Sequence, residues 1–281
     1  MSQLQFPAGT CDTHMHIYDS RYTVAPTALI QPPDATVDDY RRVQESLDLQ
    51  RVVVVQPSTY GFDNSCTLDA VAELGDARAI VVVDDQVTEE ELERLTGLGA
   101  RGARFHMLAG GAVPWGMLRP VAERIAGFGW HIQLQMNGRE LIDRFAELIA
   151  LPTPLVIDHV GRYMPPVDPQ DERFAILLRL LDTGRCWVKL SAPYESAKDD
   201  THEYRAVSRL VQVAVKHSPE RMLWATNWPH PAQPDPPSLD DIRRLAFEWM
   251  ADPAVRHRIL VDNPAELYRF GPHAANPQEA S

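Results

Sequence analysis

Short runs rich in Val, Ile and Leu recur along the chain at helix-length intervals, and they end in polar or ring-bearing residues rather than fading into turns. They fall at 11–16, 51–56, 79–84, 102–106, 130–135, 155–159, 186–190 and 222–226. Amphipathic patterns at 37–49, 65–74, 89–98, 115–128, 138–150, 172–181 and 203–217 separate them, and another follows at 239–250. Strands separated in this way lie parallel, because each parallel pair needs a crossover of a dozen or more residues. Eight such units predict an α/β chain closed into a (β/α)8, or TIM, barrel. An open doubly wound sheet would usually carry a Gly-rich phosphate turn after its first strand, and DTHMHIYD has none. With 281 residues, 44% of them hydrophobic, the chain has the size of one barrel domain. The domain is expected to span 1–281, with an ordered core over about 11–270 and a tail at 271–281.

Charge and composition narrow the partners. The apolar runs are far shorter than the roughly 20 residues that cross a bilayer, so no membrane span is expected. The opening MSQLQFPAGT lacks the basic start and apolar run of a secretory signal, which places the protein in the cytoplasm by expectation. Cys11, Cys66 and Cys186 are an odd number without CxxC spacing, against a disulfide framework or a thiolate metal site. A net charge of −12 repels nucleic acid and anionic lipid. The expected partner is a small molecule, held by local arginines if it is an anion, and self-association into a homo-oligomer is compatible with the sequence.

In a barrel of this type, polar residues at the C-terminal ends of several strands converge on one site. Those ends supply His14 and His16, then Gln56 and Ser58, Arg104 and His106, Gln133 and Gln135. His159, Lys189, Ser191, Asn227 and His230 complete the set. His14 and His16 alternate by two, so their side chains share one face of the first strand. Such a pair can merely fill polar gaps in a core, but His159 and Asn227 arrive at the same end of the barrel. Proline-rich loops, YMPPVDPQD and PHPAQPDPPS, follow the sixth and eighth strands and read as stiff pocket walls.

DTHMHIYD, VIDHVGR and WATNWPHP, in that order, resemble the amidohydrolase superfamily, specifically its lactone-processing branch related to 2-pyrone-4,6-dicarboxylate lactonase. Metal-dependent members typically use the HxH pair, a Lys or Glu on strand four, histidines on strands five and six, and an aspartate on strand eight. This chain departs from that pattern with Arg104, Gln133, Gln135 and Asn227, so no metal and no other cofactor is expected.

The departure at strand eight bears on the reaction class. A lactonase must activate water, the branch's aspartate is the natural base for that step, and an amide has no lone pair of comparable basicity. In carrying Asn227, and in RFHMLAGGAVPWGMLRPVAERIAGFGWHIQLQ, the sequence is similar to the galactaro δ-lactone isomerases. That resemblance implies a metal-independent internal acyl transfer, from a six-membered to a five-membered sugar diacid lactone. The catalytic residues expected are His14, His16, His159 and Asn227. Substrate contacts are expected from Arg104, His106, Ser58, Gln135, Arg162, Lys189 and Tyr194. Two rival readings are a lactonase hydrolysing a dicarboxylate lactone with a histidine as base, and a non-catalytic binding protein on an enzyme scaffold.

Overall fold

The computed structural model describes residues 4–197 and 203–271. Apart from Gly271, the expected tail lies outside the described residues. Eight parallel strands follow one another around a single sheet: β1 (Cys11–Met15), β2 (Arg51–Val55), β3 (Ala77–Val81), β4 (Ala100–His106), β5 (His131–Gln135), β6 (Leu155–Ile157), β7 (Cys186–Leu190) and β8 (Met222–Trp224). The expected α/β barrel is therefore the observed architecture, and strand edges differ from the sequence reading by a few residues. The expected 79–84 strand begins earlier and ends at Val81, because its pairing with β2 starts at Val52↔Ala77.

The crossover helices form where the apolar spacing and the caps agree. In α1 (Val37–Leu47), Val37, Tyr40, Val43 and Leu47 share the buried face, while Thr36 and Asp39 make a reciprocal capping box. In the helix Glu89–Gly97, Thr88 caps the start and three first-turn glutamates sit at the positive end of the dipole. The helix Leu239–Trp249 repeats the capping box with Ser238 and Asp241. A large apolar shell lies between strands and helices, and a smaller interior core of Cys11, Val53, Ile80, Val156, Trp187 and Leu223 is floored by Tyr268 and Phe270. Gly102 is needed inside, because a Cβ there would stand 2.7 Å from His131 Nε2.

The seam between β1 and β8 is closed largely by side chains. Asp12, wholly buried, accepts hydrogen bonds from the Thr226 amide (3.0 Å), the Thr226 hydroxyl (2.6 Å), the Tyr40 hydroxyl (3.0 Å) and the His14 amide (3.2 Å). Thr13 donates its hydroxyl to the Trp224 carbonyl, and two backbone bonds, Asn227 to His14 and His16 to Trp228, continue the seam upward. β1 slips register against β2 between Asp12 and Met15, so the strand bulges where it carries His14.

Asp12→Ala should destabilise the protein by about 3–5 kcal/mol, since it strands four buried donors. Asp12→Asn should cost clearly less, because the Tyr40 and Thr226 hydroxyls can rotate to accept from the amide. Denaturant unfolding of the two variants checks the order; equal losses would show that Asp12 is not the closing element.

Candidate active site

The loops after β6, β7 and β8 are bent by non-glycine residues in the left-handed region. His159, Val160, Arg162, Ala192, Asn227, His230 and Ala232 all have φ between 44° and 61°. Strain of this kind persists only where surrounding contacts impose it, and here it gathers at one end of the barrel.

A cavity of about 380 Å³ opens at that end. His16, His159 and Asn227 reach it from the expected catalytic set. Ser58, Arg104, His106, Gln135 and Arg162 reach it from the expected contact set. His14 lies one layer deeper, without solvent exposure, its Nε2 3.3 Å from His16 Nε2. Lys189 and Tyr194, expected to touch substrate, stand behind the cavity wall instead. Lys189 is swallowed by the barrel axis, donating to the Thr13 carbonyl (2.7 Å) and to Gln133 Oε1 (2.6 Å). The Tyr194 hydroxyl accepts from Asn227 Nδ2 (2.7 Å) and meets His230 Nδ1 at 2.9 Å. Both are placed to orient other groups: Lys189 sits beneath His14, and Tyr194 holds the Asn227 amide.

Several tautomers follow from the partners. His16 Nδ1 lies 2.8 Å from the Val55 carbonyl, which only accepts, so the hydrogen is on Nδ1 and Nε2 keeps its lone pair. His106 Nδ1 likewise donates to Gln135 Oε1 at 3.0 Å. His159 Nδ1 pairs with the Ser191 hydroxyl at 2.9 Å. With its amide nitrogen on Tyr194, Asn227 is left with a buried Oδ1 that has no protein partner.

Burial dominates the electrostatics. It lowers the imidazole pKa of His16 to about 3 and of His106 to about 4, and it holds His14 and His159 well below the usual histidine range, aided for His14 by the nearby Lys189 ammonium. Lys189 itself is pulled down to about 8 by burial. Arg104 donates to the Gln56 carbonyl (2.6 Å) and to Gln135 Oε1 (2.9 Å), yet among the described residues no carboxylate pairs with it, and its Nε has no partner. A buried, uncompensated guanidinium on a cavity wall is a receptor for an anion.

The donor set does not fit a divalent transition ion. His14, Asp158 and His159 present ligand atoms within 4.8 Å of one another. The place beside them is held by a cation already: Lys189 Nζ is 3.4 Å from His14 Nδ1 and 3.9 Å from Asp158 Oδ1. Asp158 also lies 3.3 Å from His14 Nδ1; near it Gln133 of β5 and Asn227 after β8 are amides, while the imidazole of His131, at the start of β5, packs against Tyr268 instead. Sequence reasoning passed over Tyr18 and Glu195 on the cavity wall, and over Asp12 and Asp158 beneath it. Asp12 was legible as a charge inside an apolar strand, and Tyr18 as the next member of the alternation His14, His16, Tyr18. Glu195 gave no local signal.

Known proteins resemble this chain over nearly its whole length. The amidohydrolase family profile matches residues 11–270. The chain is 37% identical over 273 residues to a D-galactarolactone isomerase of Agrobacterium fabrum, covering 95% of this chain and 93% of that one. It is 31% identical to a 2-pyrone-4,6-dicarboxylate hydrolase of Comamonas testosteroni, covering 95% and 92% of the two chains. A crystal structure of an apo protein from Agrobacterium tumefaciens superposes with a TM-score of 0.90 at 36% identity, over 95% of this chain and 98% of the other. No helix among the described residues is long and apolar enough to cross a membrane.

Six histidines with lowered pKa values, the buried His14, His16, His131, His159 and His230 and the part-buried His106, make the fold acid-sensitive. Their contribution is complete above about pH 6.5 and is lost as pH falls towards the folded values, because the unfolded chain then binds protons that the folded chain refuses. Each contributes a slope of up to about 1.4 kcal/mol per pH unit. Asp12, raised by burial, works in the opposite sense with a single proton. Unfolding free energy should therefore drop steeply between about pH 6 and 5 and rise gently from about pH 7.5 upward, where folded Lys189 gives up its proton before the unfolded chain does; a flat profile down to pH 4.5 would contradict the neutral-histidine site.

Arg104→Met should weaken binding of a carboxylate-bearing ligand by about 1.5–3 kcal/mol, roughly 10- to 150-fold, while leaving Tm unchanged or higher. Calorimetric titration and thermal unfolding of the same samples check both halves. Equal anion affinity in wild type and variant would remove Arg104 from the binding site.

Proposed function

The chain belongs to the amidohydrolase family, and from that premise we propose that it is a metal-independent isomerase of sugar diacid lactones. The substrate would be a δ-lactone such as galactaro-1,5-lactone, and the product the corresponding γ-lactone. One observation carries the reading: the buried side chain at the end of β8 is the amide Asn227, fixed by Tyr194 with its oxygen free. A hydrolase needs a base there to take a proton from water, and an amide does not supply one.

The proposed step is an internal transesterification. The substrate O4 attacks the C1 carbonyl as His16 Nε2 takes its proton; a tetrahedral intermediate forms; the C1–O5 bond breaks and the same proton passes to O5. No water is consumed and no redox change occurs. His16 suits this shuttle because its imidazole is neutral and its Nδ1 hydrogen is fixed on the Val55 carbonyl, which leaves Nε2, 3.3 Å from His14 Nε2, as the nitrogen that accepts the proton. Asn227 Oδ1 accepts from a substrate hydroxyl and orients it. Arg104 holds the free carboxylate, and His159 is placed to donate to the developing oxyanion.

The relative named as a 2-pyrone-4,6-dicarboxylate hydrolase supports a rival, lactone hydrolysis with His16 or His159 as the base. Asn227→Asp separates the two. Proton NMR of the products of a sugar δ-lactone, after exhaustive chelation of the enzyme, should show γ-lactone from wild type at undiminished rate. The variant should yield open diacid at the expense of γ-lactone, because a carboxylate can then activate water. Open acid as the main wild-type product would overturn the isomerase reading, and loss of turnover on chelation would overturn its metal independence.

A further inference from the structure

Two arginines and one carboxylate face the cavity among its described lining residues, and they are not equivalent. Among the described residues no carboxylate pairs with Arg104, whereas Arg162 Nε donates to Glu195 Oε2 at 2.8 Å. Both members of that pair are largely shielded, with side-chain exposures of 14% and 24%. Neither is a loose rim charge. Arg162 is held at a left-handed position after β6 with its amide on the His159 carbonyl. Glu195 ends the three-residue turn Pro193–Glu195, whose entry is fixed by left-handed Ala192. The central residue of that turn is Tyr194, which holds Asn227.

We propose that Glu195 is a specificity-determining residue that restricts the site to lactones bearing one anionic group, by occupying Arg162 and presenting a carboxylate to any second anion. A monoanion seats its carboxylate on Arg104 and offers hydroxyls to the Arg162–Glu195 pair, whose remaining donors and acceptors suit a polyol. A dianion would have to displace Glu195 from Arg162, leaving two carboxylates at close range in a poorly hydrated space. This rests on the lactone reading above and sharpens it. A sugar diacid lactone has one free carboxylate, while a pyrone dicarboxylate has two. Specificity here comes from a repulsive element as much as from an attractive one.

The test uses unreactive rings, so it does not depend on turnover. Tetrahydropyran-2-carboxylate and cis-tetrahydropyran-2,6-dicarboxylate are titrated into wild type, Glu195→Gln, Glu195→Asp and the double variant Glu195→Gln/Arg162→Met at pH 7.5. Wild type is expected to prefer the monoanion at least tenfold. Glu195→Gln should shift the ratio at least tenfold towards the dianion, through tighter dianion binding. Glu195→Asp should keep the wild-type preference, and the double variant should lose the gained dianion affinity. A wild type without preference for the monoanion, or a ratio that moves less than twofold in Glu195→Gln while only its Tm falls, overturns the proposal. Because δ- to γ-lactone conversion is assayed separately, an enzyme that isomerises without this selectivity, or shows the selectivity without isomerising, distinguishes the two claims.

Discussion

The closure of the barrel at Asp12 is the constraint on which the site depends. A parallel barrel has one seam where the last strand meets the first, and here the backbone ladder is sparse and a carboxylate spans the gap. A fully buried carboxylate is costly unless its oxygens are satisfied, and four donors from β1, α1 and the end of β8 satisfy it. The same bonds hold the backbone of His14 and of Thr226, one residue before Asn227. What closes the fold therefore sets the distance between the histidine pair and the amide that faces it.

Above that seam the site is organised by where charge is allowed. Burial keeps the imidazoles neutral, which leaves the His16 Nε2 lone pair unprotonated at ordinary pH. The Lys189 ammonium, near Asp158 and bonded to Gln133, occupies the axis beneath them and reinforces the neutral state of His14. Positive charge with no carboxylate partner among the described residues appears at Arg104, on the cavity wall. Such a group lowers stability in the empty protein and repays it on binding an anion, the usual relation between a strained site and its ligand. The Arg162–Glu195 pair shows the opposite arrangement a short way off, a cation already neutralised by the protein.

Much of this was legible in the chain because periodicity and strand ends are local properties. The alternation of β-branched runs with amphipathic segments specified eight strands and the seven crossovers between them, and the polar residue at or near the end of each run named His16, Arg104, Gln135, His159 and Asn227, all of which line one cavity. Spacing by two placed His14 and His16 on one face, which their 3.3 Å contact bears out. Absence of a carboxylate at the end of the eighth strand was also visible, since it requires only that the position be located.

Depth and pairing were not legible. His14, Lys189 and Tyr194 belong to the right strands and loops, but whether a side chain ends in the cavity or one layer beneath it depends on the bulge in β1, on the room left by Gly102 and His131, and on left-handed turns after β7 and β8. Glu195 gained its meaning from Arg162, 33 residues away in sequence and 2.8 Å away in space. The sequence by itself determined which residue types stand at the mouth of which strand, because side-chain direction along a strand repeats every two residues. Only the tertiary structure decided which of them are paired and which are left unpaired, because that depends on distances between strands and loops that no local pattern encodes.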